Sequence, residues 1–279
     1  MASKAPTIID LNAQVAELAK FHRTPQPMRE TRGKVERLTS YRDGMLLLGT
    51  SAGNKGHWET HPEDELLYIL DGARTLDIVE KEGPQSYVVG AGMIVIVPVG
   101  AWHRVSSTDV GIVMSATLPG EHIDLDVDDP RAAKPEKVTT TGTPTIIDLD
   151  AELAKLTMFR GRTPQSTMAD RKGSSARLAA CRDGGLSITK FAGKGHWEAH
   201  LAGDELIYIL DGTTTLDSLG DDGPRSFELR AGMIAVNRQG AWHRFRSLEG
   251  VALMAVTPSP SEVIELDVDD PRTVERAPA

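Results

Sequence analysis

Two short motifs hold six of the eight histidines and all four tryptophans of the chain, and each motif occurs twice. The first is Gly56-His57-Trp58-Glu59-Thr60-His61 with Asp64-Glu65, and the second is Gly100-Ala101-Trp102-His103-Arg104. Both return in the second half, as Gly195-His196-Trp197-Glu198-Ala199-His200 with Asp204-Glu205 and as Gly240-Ala241-Trp242-His243-Arg244. Imidazole and carboxylate groups together are typical ligands of divalent transition metals. The sequence therefore predicts two metal sites, one in each half of a duplicated chain.

The repeat that carries these motifs covers nearly the whole sequence. Pro6–Leu11 recurs as Pro144–Leu149, and Leu125–Arg131 recurs as Leu266–Arg272, with an offset of 138 to 141 residues. Solenoid repeats are only about 20–50 residues long, so this offset indicates two whole domains, each large enough for its own core. We predict an N-terminal domain at 1–131, a linker at 132–143 and a C-terminal domain at 144–279. Duplication also favours an intramolecular pseudo-dimer within one chain, and a homo-oligomer stays possible.

Composition limits the kinds of partner and the compartment. A net charge of −9 and a pI near 5.4 disfavour nucleic-acid binding, which relies on clustered Lys and Arg. The sequence contains no apolar run near the roughly 18 residues of a membrane span, and the N-terminus lacks a signal-peptide core. The single cysteine, Cys181, fits a reducing compartment and reads as core packing. We expect a cytoplasmic protein that binds a small molecule, with no nucleic-acid or membrane partner.

The elements that must position the motifs are mostly strands. Short runs rich in Val, Ile, Leu and Tyr alternate with Gly, Pro and Asp, and this pattern is typical of a sandwich or barrel. Examples are Leu66–Leu70, Thr75–Val79, Ser86–Val89, Met93–Val97 and Ile112–Thr117. Each repeat begins with a short helix, at Asn12–Phe21 and Asp150–Met158, where Asp10 and Asp148 are suited to cap the first turn. The predicted fold class is all-β.

The motifs resemble those of the cupin superfamily. Gly92, Pro98, Gly100 and His103 match the second family motif in full, and Gly232, Gly240 and His243 match it with Arg238 in place of the proline. In the first motif, Glu65 precedes Gly72 by the family spacing, as Glu205 precedes Gly212. The resemblance implies two tandem jelly-roll β-barrels (double-stranded β-helices), that is, a bicupin with a metal in each barrel.

One departure from the family pattern changes the expected ligands: Glu59 and Glu198 replace the family's first histidine. Because side chains alternate along a strand, Glu59 and His61 point to the same side. The expected metal ligands are Glu59, His61, Glu65 and His103, and then Glu198, His200, Glu205 and His243. An octahedral ion would keep open positions, whereas a tetrahedral zinc would use only some of these groups. His57 and His196 are alternatives, either as ligands or as catalytic general bases.

The neighbours of these residues have less specific interpretations. Alternation sends the tryptophans, Arg104 and Arg244 to the outer face of the barrel, and Asp64 and Asp204 read as turn residues. The acidic Asp-Val-Asp-Asp-Pro segments at 126–130 and 267–271 read as solvated turns. Around the second motif, Val95, Val97 and Pro98 are replaced by Ala235, Asn237 and Arg238. We expect a more polar second cavity if these residues face inward; Arg238 either binds an anionic substrate there or lies outside as a solvated charge.

The metal and the reaction stay open at this stage. Iron, manganese, zinc, nickel and cobalt all accept imidazole with carboxylate. The resemblance implies a metal-dependent enzyme acting on a small organic molecule, most plausibly a dioxygenase or another oxidoreductase. The alternatives are an isomerase or lyase in which the metal acts as a Lewis acid, and a non-catalytic bicupin that binds a metabolite or metal.

Overall fold

The structure is a computed structural model that describes residues 5–23, 33–220 and 223–274. The chain divides into two compact units. One unit is Ala13–Glu152; the other combines Met1–Asn12 with Leu153–Ala279. Strands make up most of both units, which confirms the all-β class with a short helix near the start of each repeat. No helix among the described residues is long and apolar enough to cross a membrane.

The first repeat contributes twelve strands and two helices among the described residues. In chain order they are β1 (Thr7–Asp10), α1 (Leu11–Arg23), β2 (Lys34–Tyr41), β3 (Gly44–Ser51), β4 (Asn54–Lys55), β5 (Trp58–Thr60), β6 (Glu65–Asp71), β7 (Ala73–Glu80), β8 (Gly83–Gly90), β9 (Met93–Val97), β10 (His103–Ser107), β11 (Gly111–Thr117), β12 (Glu121–Ile123) and α2 (Pro130–Ala133). The five strand segments chosen from their apolar runs all fall inside observed strands, because each run alternates or is buried on both faces.

The second repeat follows the same order with longer strands. Its elements are β13 (Thr145–Asp148), α3 (Leu149–Ala154), β14 (Phe159–Arg162), β15 (Ser175–Cys181), β16 (Gly184–Lys194), β17 (Trp197–His200), β18 (Glu205–Gly220), β19 (Gly223–Arg230), β20 (Met233–Asn237), β21 (His243–Pro258), β22 (Ser261–Ile264) and a 3₁₀ helix (Pro271–Thr273). Helix α3 ends at Ala154, four residues before the predicted end. The Thr157 N–H bonds to the Gly173 carbonyl at 2.9 Å, so the chain has already left the helix there.

The first unit consists of two six-stranded sheets. One has the order β12-β5-β10-β7-β8 with β4 beside β10, and the other has the order β13-β9-β6-β11-β3-β2. Leu67 and Ile69 of one sheet and Leu76 and Ile78 of the other belong to one buried cluster. The core therefore lies between the two sheets, as expected for a jelly roll.

In the second unit β18 and β21 are each 16 residues long. Because each of these long strands continues through both sheet layers of the barrel, all ten strands of the unit belong to one hydrogen-bonded sheet. Its central order is β1-β20-β18-β21-β16-β14. Phe191, Ile207 and Leu253 lie in its buried core. Cys181 is 2% exposed, which confirms the interpretation of this thiol as core packing.

The first strand of each repeat pairs outside its own repeat. β1 pairs with β20 of the second repeat, whereas β13 pairs with β9 of the first. The sequence-based boundaries at 1–131, 132–143 and 144–279 follow the repeat, so they differ from the observed units in these two segments. Residues 132–143 are also partly packed: Val138 is 6% exposed and lies in a cluster with Trp58 and Trp102. The boundaries of independently folding domains stay a prediction.

Glycines of the family motif serve a steric purpose here. Gly72 and Gly212 have φ angles of 71° and 75°, a left-handed conformation that costs a residue with a side chain about 1–2 kcal/mol. A Cβ at these positions would lie 2.7 Å from the Val110 carbonyl oxygen and 2.2 Å from the Gly250 carbonyl oxygen. Both reasons require glycine where the strands pass from one layer to the other.

The outer face of the motif strands carries a buried arginine–aspartate ion pair in each repeat rather than free side chains. Arg104 donates from Nε to Asp77 at 2.6 Å, lies 4.7 Å above the Trp58 ring and donates to the Val127 carbonyl at 3.0 Å. Arg244 repeats the arrangement with Asp217, Trp197 and Val268. These arginines do face away from the barrel interior, but they are only 7% and 6% exposed. The acidic segments, expected as solvated turns, cover them through backbone carbonyls.

Candidate metal centre

The first candidate centre is built where β5, β6 and β10 begin or end. Glu59 lies on β5 and pairs in register with His103, the first residue of β10. His61 follows β5 directly, and Glu65 opens β6. Antiparallel partners in register share a face of the sheet, so Glu59 and His103 point to the same side, which His61 joins by alternation.

Short distances connect these groups. His103 Nε2 lies 2.9 Å from Glu65 Oε2 and 3.9 Å from Glu59 Oε1, and His61 Nε2 lies 3.6 Å from Glu65 Oε2. Ligand atoms of Glu59, His61 and His103 all lie within 4.8 Å of one another. Thus the structure brings together the four side chains that the sequence analysis nominated in the first half.

The second centre has the same arrangement. His243 Nε2 lies 2.9 Å from Glu205 Oε2 and 3.9 Å from Glu198 Oε1. His200 Nε2 lies 3.3 Å from Glu205 Oε1. Glu198, His200 and His243 again place ligand atoms within 4.8 Å of one another. The four nominated residues of the second half are therefore also together.

The outer ring nitrogens fix which nitrogen faces each centre. In the first half His61 Nδ1 contacts the Leu118 carbonyl at 2.8 Å, and His103 Nδ1 contacts the Ala101 carbonyl at 3.1 Å. His243 Nδ1 contacts the Ala241 carbonyl at 3.0 Å in the second half. A carbonyl only accepts, so each of these Nδ1 atoms carries a proton, and each Nε2 is directed to the centre. Metal-binding histidines are commonly oriented in this way.

The buried nitrogens of the second centre fit a metal. His200 Nε2 and His243 Nε2 both face the Glu205 carboxylate, at 3.3 Å and 2.9 Å. Two imidazole nitrogens beside the Glu205 carboxylate form a donor set that a divalent cation would satisfy.

The charges in both centres are coupled to one another. Burial acts to raise the pKa of Glu65, but the hydrogen bond from His103 and the nearby imidazoles outweigh it and lower that pKa. Burial opposes the shift of His103 as well, yet Glu65 raises its pKa. In the second centre the pKa of Glu205 lies well below its usual value despite burial, because His200 and His243 approach it, and the pKa of His243 is raised. A bound metal would replace the imidazole protons as the positive partner of the glutamate carboxylates, and these protons would be released.

The two candidate base residues, His57 and His196, lie in different surroundings. The His57 side chain is 60% exposed, its Nδ1 lies 3.9 Å from Asp124 Oδ1, and its ring centre lies 5.7 Å from that of His122. The His196 side chain is 12% exposed, and its Nε2 lies 3.6 Å from Glu198 Oε2. Of these two histidines, His196 is the one that lies beside a nominated ligand.

The second centre is the more polar of the two. Glu65 pairs in register with Val97, whereas Glu205 pairs with Asn237. Asn237 is 2% exposed and donates to Glu205 Oε2 at 3.0 Å, while Thr257 donates to Glu205 Oε1 at 2.7 Å. The expected gain in polarity is therefore met at Asn237.

Arg238 takes no part in that cavity. Its guanidinium forms an ion pair with Asp204 at 2.9 Å and donates to Thr7 Oγ1. It is neither the solvated charge nor the inward anion-binding group that the sequence analysis considered. Asp204 and its counterpart Asp64 each accept a backbone N–H, from Gln239 and Val99, at 2.9 Å. They are turn residues, as predicted.

A cavity of about 270 Å³ opens onto the second centre. Its walls include His196, Glu198 and Glu205, apolar side chains, and the arginines Arg162, Arg171 and Arg177. The sequence analysis missed these arginines, because none of them lies in either motif. The available signal is a one-residue insertion, since Phe159-Arg160-Gly161-Arg162 stands where the first half reads Phe21-His22-Arg23.

Comparisons with known proteins agree with this architecture. Residues 49–115 match the family model described as a cupin domain. A cupin 2 conserved barrel domain protein from Leptotrichia buccalis is 13% identical, with a TM-score of 0.56 over 93% of this chain and 98% of that chain. No curated protein matches the chain by sequence.

Two further solved structures share the fold. A variant of salicylate 1,2-dioxygenase from Pseudoaminobacter salicylatoxidans is 9% identical, with a TM-score of 0.64 over 94% of this chain and 89% of that one. A variant of Bacillus subtilis oxalate decarboxylase is 12% identical, with a TM-score of 0.53 over 88% and 78%. At these identities the likeness concerns the fold alone. Together with the cupin-domain match over residues 49–115 and the two equivalent centres, it shows that the chain has the cupin fold in a two-domain, bicupin-like arrangement.

Proposed function

We propose that the protein is a metal-dependent enzyme that acts on a small organic molecule, as a dioxygenase-type oxidoreductase. The observation that carries the proposal is the pair of buried two-histidine, two-glutamate centres, one of which opens into a cavity. The proposed ligands are Glu59, His61, Glu65 and His103 in the first barrel, and Glu198, His200, Glu205 and His243 in the second. A divalent metal bound there would supply Lewis-acid and redox chemistry.

The side chains of the second barrel have separate tasks in this proposal. Asn237 and Thr257 hold the two oxygens of Glu205, and the Ser261 hydroxyl holds His200 Nδ1 at 2.9 Å. These contacts fix ligand directions before a metal binds, so less order has to be gained on binding. His196 lies in the cavity wall beside Glu198, where it would hold or accept a substrate proton at Nε2.

In the first barrel, His57 is the corresponding candidate base in our proposal. Its exposed ring would exchange protons with solvent more readily than that of His196. The second barrel, with its cavity and its buried histidine, is therefore our preferred site of turnover.

The test is an oxygen-uptake and product assay on metal-reconstituted protein. The substrates are salicylate and gentisate, which the related dioxygenase structures name, together with oxalate for a decarboxylation. We expect oxygen uptake with a hydroxylated aromatic acid, and its loss in the His200→Ala/His243→Ala variant. A fully metal-loaded protein that consumes no oxygen with these compounds would contradict the oxidoreductase assignment. Carbon dioxide release without net oxygen uptake would favour a lyase instead.

A further inference from the structure

The cavity of the second barrel has a cationic wall that the metal centre does not require. Arg162, Arg171 and Arg177 all line it, and the only carboxylates in the lining are Glu198 and Glu205, both nominated as metal ligands. The rest of the wall is largely hydroxyl and apolar, with Phe191, Ile207, Phe245 and Leu253 among its members.

Arg162 differs from the other two arginines in lacking a partner. Arg177 donates to the Gly184 carbonyl at 2.8 Å, and Arg171 donates to the Thr167 carbonyl at 3.4 Å. The guanidinium of Arg162 lies over the Phe191 ring, 4.5 Å from its centre. Across residues 5–23, 33–220 and 223–274, it forms no ion pair or hydrogen bond. The Glu198 charge acts on this partly desolvated cation without forming an ion pair with it, so an anion in the cavity would give Arg162 a direct partner.

Arg162 stays charged at neutral pH. Burial lowers its pKa to about 10, against the opposing effect of the Glu198 charge. Its backbone is fixed because β14 runs parallel to β16, with Arg162 opposite Gly193. The planar fork of a guanidinium matches a carboxylate in a bidentate pair, which a compact cation does not.

We propose that the second cavity takes a small organic carboxylate, with Arg162 as the group that holds the carboxylate end. The inference rests on the proposed function for the role of the metal, but the binding step does not depend on turnover. Phe191 and the aliphatic wall suit a flat or aliphatic body between the carboxylate and the centre at Glu198 and Glu205. The volume of about 270 Å³ lies just under the roughly 300–1,000 Å³ of pockets for drug-sized ligands, so the ligand is small.

The test measures binding to metal-loaded protein by titration calorimetry. The probes are benzoate, its uncharged analogue benzamide, and inorganic phosphate. The variants are Arg162→Gln, Arg162→Lys, and Arg160→Gln as the matched control, because Arg160 is an exposed residue of the same strand. Metal content is measured for every variant.

We expect benzoate to bind the wild type and the Arg160→Gln control equally. Arg162→Gln should weaken binding roughly ten- to hundredfold, as expected for a lost charge-assisted hydrogen bond, and Arg162→Lys should recover part of it. Metal content should not change, and benzamide should bind weakly to all variants. Equal benzoate affinity in Arg162→Gln would overturn the proposal. So would phosphate binding as tight as benzoate, which would indicate a site for any anion.

The two proposals fail in different ways. If benzoate binding depends on Arg162 but no turnover occurs, the carboxylate site stands and the enzymatic proposal fails. If turnover occurs but KM is the same in Arg162→Gln and the wild type, only the role of Arg162 is lost.

Discussion

At the scale of single residues, position 237 separates the two centres most clearly. Glu205 receives hydrogen bonds from Asn237 and Thr257, whereas Val97, the counterpart of Asn237, has no polar side-chain group to offer Glu65. The sequence indicated this difference, because the repeat aligns the two positions. It did not indicate the fate of Arg238, whose partners Asp204 and Thr7 are far away along the chain.

Asn237→Val tests this difference by giving the second centre the residue of the first. Loss of the hydrogen bond to Glu205 should lower the metal affinity of the second centre about tenfold, as expected for partners that orient a ligand. Competition with a chelating dye would measure it, with affinity of the first centre as the internal control. Two unchanged affinities would show that Asn237 does not orient Glu205.

Sequence reasoning at this scale used two sources. Strand alternation put Glu59 and His61 on one side, the family motifs added Glu65 and His103, and these four side chains lie close together in the structure. Sequence reasoning could not separate His57 from His196, since the two lie in identical Gly-His-Trp-Glu contexts. Their difference comes from surroundings outside the motif, where His57 meets Asp124 and His122.

At the scale of elements, the buried arginine–aspartate pairs on the outer face connect the motif strands to the acidic segments. Asp217 accepts bonds from Arg244, Arg246 and Ser226. Burial alone would raise the pKa of Asp217, but these three donors outweigh it and lower that pKa below its usual value. Alternation predicted the outward direction of Arg244. It could not predict burial, because the cover is formed by a backbone carbonyl of Val268.

Asp217→Asn should lower the free energy of unfolding by about 3 kcal/mol, because it removes the buried carboxylate that pairs with Arg244 at 2.9 Å. Chemical denaturation at pH 7 measures this loss. A depressed carboxylate pKa stabilises the fold above the unfolded-state pKa of Asp, and this stability is lost as the pH falls through the lower folded-state value. The variant should therefore lose less stability on acidification than the wild type.

Asp211→Asn is the control for the Asp217–Arg244 pair, since Asp211 is an exposed aspartate of the same strand as Asp217. This change should alter stability by less than about 0.5 kcal/mol. Equal effects of the two substitutions would contradict a structural role for the Asp217–Arg244 pair.

At the scale of the whole molecule, the first strand of each repeat pairs with a strand of the other repeat. β1 is coded with the first repeat but lies beside β20, and Ile8 packs against the core of the second unit. The internal repeat predicted two domains, and the strand pattern and motifs predicted their fold. It could not show which sheet receives the first strand, because Thr-Ile-Ile-Asp is identical in both repeats.

Ile8→Ala should lower the stability of the second unit by about 1–2 kcal/mol, because Ile8 is partly buried in that core. Hydrogen exchange would show faster exchange of the β20 amides, with β9 amides unchanged. Ile146→Ala is the matched control, since Ile146 occupies the same place in β13 beside β9 but is 37% exposed. Faster exchange in β9 rather than β20 for Ile8→Ala would contradict the assignment of β1.

The central claim is that each barrel holds one metal through its own histidines and glutamates. Metal content per chain, measured by plasma mass spectrometry after reconstitution, tests it most directly. The account predicts that His61→Ala/His103→Ala removes half of the bound metal, that His200→Ala/His243→Ala removes the other half, and that the fourfold variant binds none. Metal content that stays at the wild-type level in either double variant would contradict it.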